Sequence, residues 1–229
     1  MIYPPFEKVK SLARRYNRIP VYREMDFSEV GLLSLVKALH ERGNVLFFES
    51  ARENKTWSRF SFIGLNPART LRFLGAETVE ESPGGIVRHQ GGFFSLLRVE
   101  INRYRSPAYA RFGPFSGGLC GYLGYGMANY AGILRRPVRE RCDEPLAELA
   151  QVDEFIVHDN KTGRYHIATC MYPGRGGSIS GLYDAALDRL GELESGVLEA
   201  IRRATVPYLP ARPTPVTLRY VEDDESAAA

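Results

Sequence analysis

The stretch AQVDEFIVHDNKTGRYHIATCMY, residues 150–172, constrains the fold more than any other. Two runs rich in β-branched and aromatic residues flank Asp159-Asn160-Lys161-Thr162-Gly163, a turn cluster whose glycine can take a positive φ, so the segment predicts an antiparallel hairpin. Strands joined by tight turns build antiparallel sheets, because a parallel pair needs a long crossover between its members. Other segments agree. Residues 19–25, IPVYREM, alternate as a half-buried strand does. NVLFFES (44–50) reads as a buried strand, and SRFSFIGLNP (58–67) as another that stops at Asn66-Pro67. ARTLRFLG (68–75) and GGIVRHQGG (84–92) read as antiparallel strands joined by turns.

Helical periodicity is confined to three places. In DFSEVGLLSLVKALHERGN (26–44), Val30, Leu33, Val36, Ala38 and Leu39 form an apolar face, with Asp26 or Ser28 as the cap and Gly43 as the stop. Phe94, Leu97, Ile101 and Tyr104 recur at helical spacing within residues 93–105. After Ser178, a capping residue, Ile179, Leu182, Ala186, Leu190, Leu193, Val197 and Ile201 mark a long amphipathic helix, weakened at Gly191 and Gly196. The expected class is α+β: antiparallel sheets packed with flanking helices. One domain is expected over residues 1–205. The proline-rich, then acidic, stretch 206–229 reads as a linker-like tail.

Charge and composition remove several function classes. A net charge of +3, spread over isolated basic pairs, provides no basic stripe for nucleic acid. No apolar run reaches the ~20 residues of a membrane span, and the start lacks the hydrophobic core of a secretory leader, so a cytoplasmic location is expected. Cys120, Cys142 and Cys170 contain no CxxC pair, which argues against a disulfide framework or zinc site. The four histidines show no metal-ligand spacing; His158 and His166 fall on opposite arms of the hairpin as cross-strand neighbours. The glycine-dense GPFSGGLCGYLGYGMANY (113–130) lacks the Gly-Lys-Ser/Thr of a phosphate loop and alternates like a strand, so its glycines are read as serving close packing.

One polar pair stands out. Glu49 and Ser50 follow two phenylalanines at a strand end, where a carboxylate could meet an ammonium group and a hydroxyl a carboxylate, with Lys55 or Arg59 supplying positive charge. A solvated strand end explains the same residues.

Four segments in order, IPVYREM, FFESARENKTWSRFSFIG, PFSGGLCGYLGYG and VDEFIVHDN, resemble the amino-terminal half of anthranilate synthase component I and its relative aminodeoxychorismate synthase component I. The resemblance spans about residues 19–160. It implies that Glu49 and Ser50 belong to a feedback pocket for L-tryptophan, with Lys55 or Arg59 nearby. It also implies partners: a chorismate-binding catalytic component and a glutamine amidotransferase. Two departures matter. Gly126 stands where the family has Asp after its G-Y-x-x-Y motif. The chain also stops where the family's chorismate- and magnesium-binding half begins, so a noncatalytic regulatory component is expected, with no cofactor in this chain and magnesium assigned to that other half. The alternatives are the equivalent part of aminodeoxychorismate synthase, a free-standing amino-acid-binding module, and an interaction module using a sheet face.

Overall fold

The hairpin forms as the turn chemistry demands. In the computed structural model, which describes residues 2–27, 30–49, 59–109, 115–132 and 144–203, Gly163 adopts φ 71°. The amides of Thr162 and Gly163 donate to the Asp159 carbonyl at 3.1 and 2.8 Å. The arms, β10 (Glu154–Asp159) and β11 (Arg164–Met171), lie inside a six-stranded antiparallel sheet. β11 is flanked by β2 (Ile19–Met25), which pairs outward with β1 (Ile2–Tyr3); β10 is flanked by β4 (Phe60–Leu65), which pairs with β3 (Val45–Phe48). β3 is thus an edge strand and only half-buried, rather than the buried strand its apolar run suggested. His158 pairs with Tyr165 and His166 with Val157. Successive side chains alternate between faces, so the two histidines sit on opposite faces of the sheet and are not cross-strand partners.

The second sheet has five strands in the order β7-β6-β5-β9-β8: β5 (Arg69–Phe73), β6 (Glu77–Ser82), β7 (Gly85–Gln90), β8 (Gly118–Leu123) and β9 (Ala147–Val152). β6, ETVEES, carries little apolar signal and lies between the two strands that the sequence suggested were joined by turns. Cross-strand charge supports it: Glu81 accepts from Arg72 at 2.7 Å, and Glu77 pairs with Arg88. In β8 the packing reading of the glycines is borne out. A Cβ on Gly121 would lie 1.9 Å from the Glu148 carbonyl oxygen of the neighbouring strand.

Helices cover one face of the six-stranded sheet. α4 (Ile179–Arg203) starts with the Gly181 amide donating to Ser178 Oγ at 3.0 Å, the expected cap, and buries Tyr183, Ala186, Leu190, Leu193, Val197 and Ala200. α1 (Phe6–Leu12), too short to show periodicity, buries Val9. α2 (Leu32–His40) begins at Gly31 without a side-chain cap, so Asp26 does not cap it; Ser28 lies outside the described residues. Its buried residues are Leu35, Ala38 and Leu39, whereas Leu33 is 65% exposed. The apolar face is therefore rotated from the one drawn through Leu33. α3 (Phe93–Arg103) lies by the second sheet and buries Phe93 and Glu100, leaving Ile101 exposed.

One apolar core lies between α1, α2, α4 and the six-stranded sheet. A second, around Phe155, Val157 and Tyr109, occupies that sheet's other face, and a third groups Phe73 and Phe93 with Met127. The chain crosses between sheets at Asp153, between β9 and β10, and at residues 66–68, where the Ala68 amide donates to the Gln151 carbonyl at 2.9 Å. The α+β class with antiparallel sheets is as expected. Cys120 and Cys170 are free thiols, pushed up to about 11 and about 12 by burial; Cys142 lies outside the described residues, as does the linker-like tail. No helix among the described residues is long and apolar enough to cross a membrane.

Candidate functional site at a sheet end

Three strands of the larger sheet meet at one end: β3 finishes, β4 begins and β10 finishes. The register pairs Phe48 with Phe62, Ser61 with His158, and Phe60 with Asp159. Glu49, the residue after β3, is exposed and one step beyond the Phe48–Phe62 pair, towards the row that holds Ser61 and His158. Asn160 Nδ2 donates to Ser61 Oγ at 3.1 Å. The His158 ring stacks on Tyr165 at 4.3 Å, and its Nδ1 is buried without a hydrogen-bond partner. Burial holds this imidazole below the usual histidine range, against the opposing pull of Asn160, Asp159 and Glu49. The Glu49 carboxylate is thus close enough for His158 to feel its charge.

Arg59 sits at the same end but is engaged. Its Nε and one terminal nitrogen donate to the two Asp159 oxygens at 3.0 and 2.7 Å, a bidentate pair. That guanidinium holds the Asp159 carboxyl down at about 2, against its burial. Arg59 also lies over the Phe60 ring at 4.8 Å. Ser50 and Lys55 lie outside the described residues. Of the residues singled out in the sequence, the fold therefore brings Glu49 and Arg59 to one sheet end. It gives Arg59 a partner, Asp159, that only pairing across 100 positions supplies.

The cluster offers an exposed carboxylate, a neutral imidazole and a hydroxyl-amide pair, which suits binding of a small polar ligand rather than covalent chemistry. Among the described residues, no group of three or more His, Cys, Asp or Glu side chains is placed to hold a metal ion. A separate cleft of about 220 Å³ lies between α2, β3 and α4. Its charges satisfy one another: Arg189 pairs with Glu154 and with Glu192 at 2.7 Å, and Arg42 donates to Glu199 at 2.8 Å.

No protein-family model matches the chain. Among curated proteins it is similar to anthranilate synthase component 1 of Acetivibrio thermocellus, 26% identical over 200 residues, covering 87% of this chain and 40% of the relative. The corresponding protein of Pseudomonas aeruginosa is 29% identical over 208 residues, 88% of this chain and 40% of the relative. That of Neisseria meningitidis serogroup B is 29% identical over 189 residues, 80% and 38%. The solved structure of anthranilate synthase component I from Streptococcus pneumoniae overlays 67% of this chain and 32% of its own, at 18% identity and a TM-score of 0.45. The chain thus spans about 40% of the length of the curated relatives it matches. The chain is thus similar to proteins named anthranilate synthase component 1 over about 40% of their length.

Proposed function

We propose that this chain is a noncatalytic, regulatory component of a chorismate-utilising enzyme, of the anthranilate synthase kind, and that its sheet end binds L-tryptophan as an effector. The observation carrying this reading is the position of Glu49 at the end of β3, one step beyond the Phe48–Phe62 pair and within electrostatic influence of His158, in a chain whose curated relatives are named anthranilate synthase component 1. Glu49 receives the ligand's ammonium group and Ser50 its carboxylate. Lys55 supplies positive charge, and Arg59, held by Asp159, frames the site. The catalytic step and the glutamine amidotransferase belong to partners of this component. An effector acts here only by binding two arrangements of that assembly unequally.

Titration calorimetry with L-tryptophan, on the chain alone and with a chorismate-binding partner, tests the proposal. Binding weakened at least about tenfold by Glu49→Gln and by Ser50→Ala supports it. Absence of binding in both settings, up to millimolar ligand, removes the effector site. Failure to co-purify with a chorismate-binding chain removes the assembly. The aminodeoxychorismate branch is distinguished by which aminobenzoate isomer the reconstituted assembly releases.

A further inference from the structure

A cavity of about 200 Å³ opens at the seam between the two sheets and shares no residue with the strand-end cluster. Arg18, just before β2, is one of its walls and is only 3% exposed. One terminal nitrogen of Arg18 donates to the Val152 carbonyl at 2.8 Å. The guanidinium packs so closely on the β8 approach that a Cβ on Gly117, at φ 79°, would meet it at 2.0 Å. Arg18 Nε lies 3.5 Å from Asp153 Oδ1, yet it is buried with no hydrogen-bond partner. Ser106 Oγ, on the same cavity, is also buried and unpartnered.

Arg18 is ion-paired with Asp153, whose carboxylate also serves other donors. Asp153 accepts from the Tyr172 hydroxyl and from Gln151 Nε2, the latter at 3.0 Å. Gln151 Oε1 accepts from Arg69 Nε at 2.7 Å, and Glu100, 4% exposed, pairs with Arg69. The wall therefore presents two buried donors, Arg18 Nε and Ser106 Oγ, that make no hydrogen bond. Buried polar groups normally find partners, and a charged guanidinium prefers a carboxylate. The Tyr104 ring and Leu119 complete the lining with apolar surface. A cavity of about 150 Å³ accommodates benzene, so this one has room for a single ring bearing a carboxylate.

We propose that the seam cavity is a binding site for a small aromatic monocarboxylate. Its carboxylate accepts from Arg18 Nε and Ser106 Oγ, and its ring lies against Tyr104 and Leu119. The site is independent of the tryptophan proposal and stands or falls separately.

Benzoate is the probe, with benzylamine as a size-matched cation, titrated into the full chain while the amide resonances of Gly117 and Gly118 are followed. The expected result is saturable benzoate binding that shifts both amides, with no response to benzylamine. Ser106→Ala removes an unpaired buried hydroxyl, so its melting temperature is expected to hold or rise while benzoate binding weakens at least about tenfold. Arg18→Lys keeps the charge but loses the donor fork and is expected to weaken binding further. No benzoate binding up to about 10 mM, equal responses to benzoate and benzylamine, or unaltered affinity in folded Ser106→Ala would each overturn the proposal and leave a water-filled cavity.

Discussion

The two sheets share one chain but are held by different forces. The six-stranded sheet lies under α1, α2 and α4, with Leu190, Leu35, Ile156 and Ile167 fully buried between them. The five-stranded sheet has α3 beside it, and its outer strands expose Ile86, Val87, Tyr122 and Leu123. What it lacks in covered apolar area it replaces partly with arginine–glutamate rungs: Arg72 to Glu81 and Glu148, Arg88 to Glu77, and the half-buried Arg69 to Glu80 and Glu100. Apolar burial is insensitive to salt, exposed ion pairs are screened, and buried pairs are costly to break from one side. The contrast therefore makes a graded set of expectations.

The largest effect is expected at the covered sheet. Leu190→Ala opens a cavity under α4 where the side chain is 0% exposed and is expected to cost about 3–5 kcal/mol in urea denaturation. Next comes Arg69→Gln, which leaves the 4%-exposed Glu100 without its main cation. About 2–3 kcal/mol is expected, changing little with added salt, because Glu100 is buried. Should Arg69→Gln cost more than Leu190→Ala, the division between an apolar and an ionic sheet would fail.

A smaller effect sharpens the strand-end cluster. The Asp159 carboxyl sits at about 2 against an ordinary 3.8, held down by Arg59. A lowered folded value means that its stabilisation is complete above about pH 4 and lost as pH falls towards 2. Because Arg59 is 40% exposed, solvent screening leaves the pair only a small contribution. Asp159→Asn is expected to lose that contribution at pH 7 and to flatten the acid limb between pH 4 and 2. An unchanged acid limb would show that the bidentate pair contributes nothing. The smallest effect belongs to the exposed Arg42–Glu199 pair: Arg42→Ala should change stability within the scatter of urea denaturation, and less still in high salt.

How far each feature could be read from the sequence follows the range of the forces behind it. Turn chemistry at Asp159–Gly163 and the cap and stripe of α4 are short-range and formed as expected, as did the strand at 19–25, though it is buried on both faces where its alternation suggested half-burial. β6 is not legible in the sequence because ETVEES draws its support from arginines on β5 and β7, not from its own apolar pattern. The apolar run of β3 suggested burial, but burial depends on a second neighbour that the edge position denies it. Glu49 was recognised as an unusual residue at a strand end; that His158 lies within reach of its charge depends on β4 lying between β3 and β10.

By itself, then, the sequence determined the strand-and-turn grammar, the long helix, the antiparallel class and the similarity to anthranilate synthase component 1, since each rests on residues a few positions apart or on aligned sequence. Only the tertiary structure decided which strands are edges, that Arg59 is committed to Asp159, and that Arg18, Ser106 and Gln151 line one cavity at the seam. Those outcomes depend on sheet order and on the crossing at Asp153, where the chain leaves one sheet for the other and carries charges from distant segments into a shared interior.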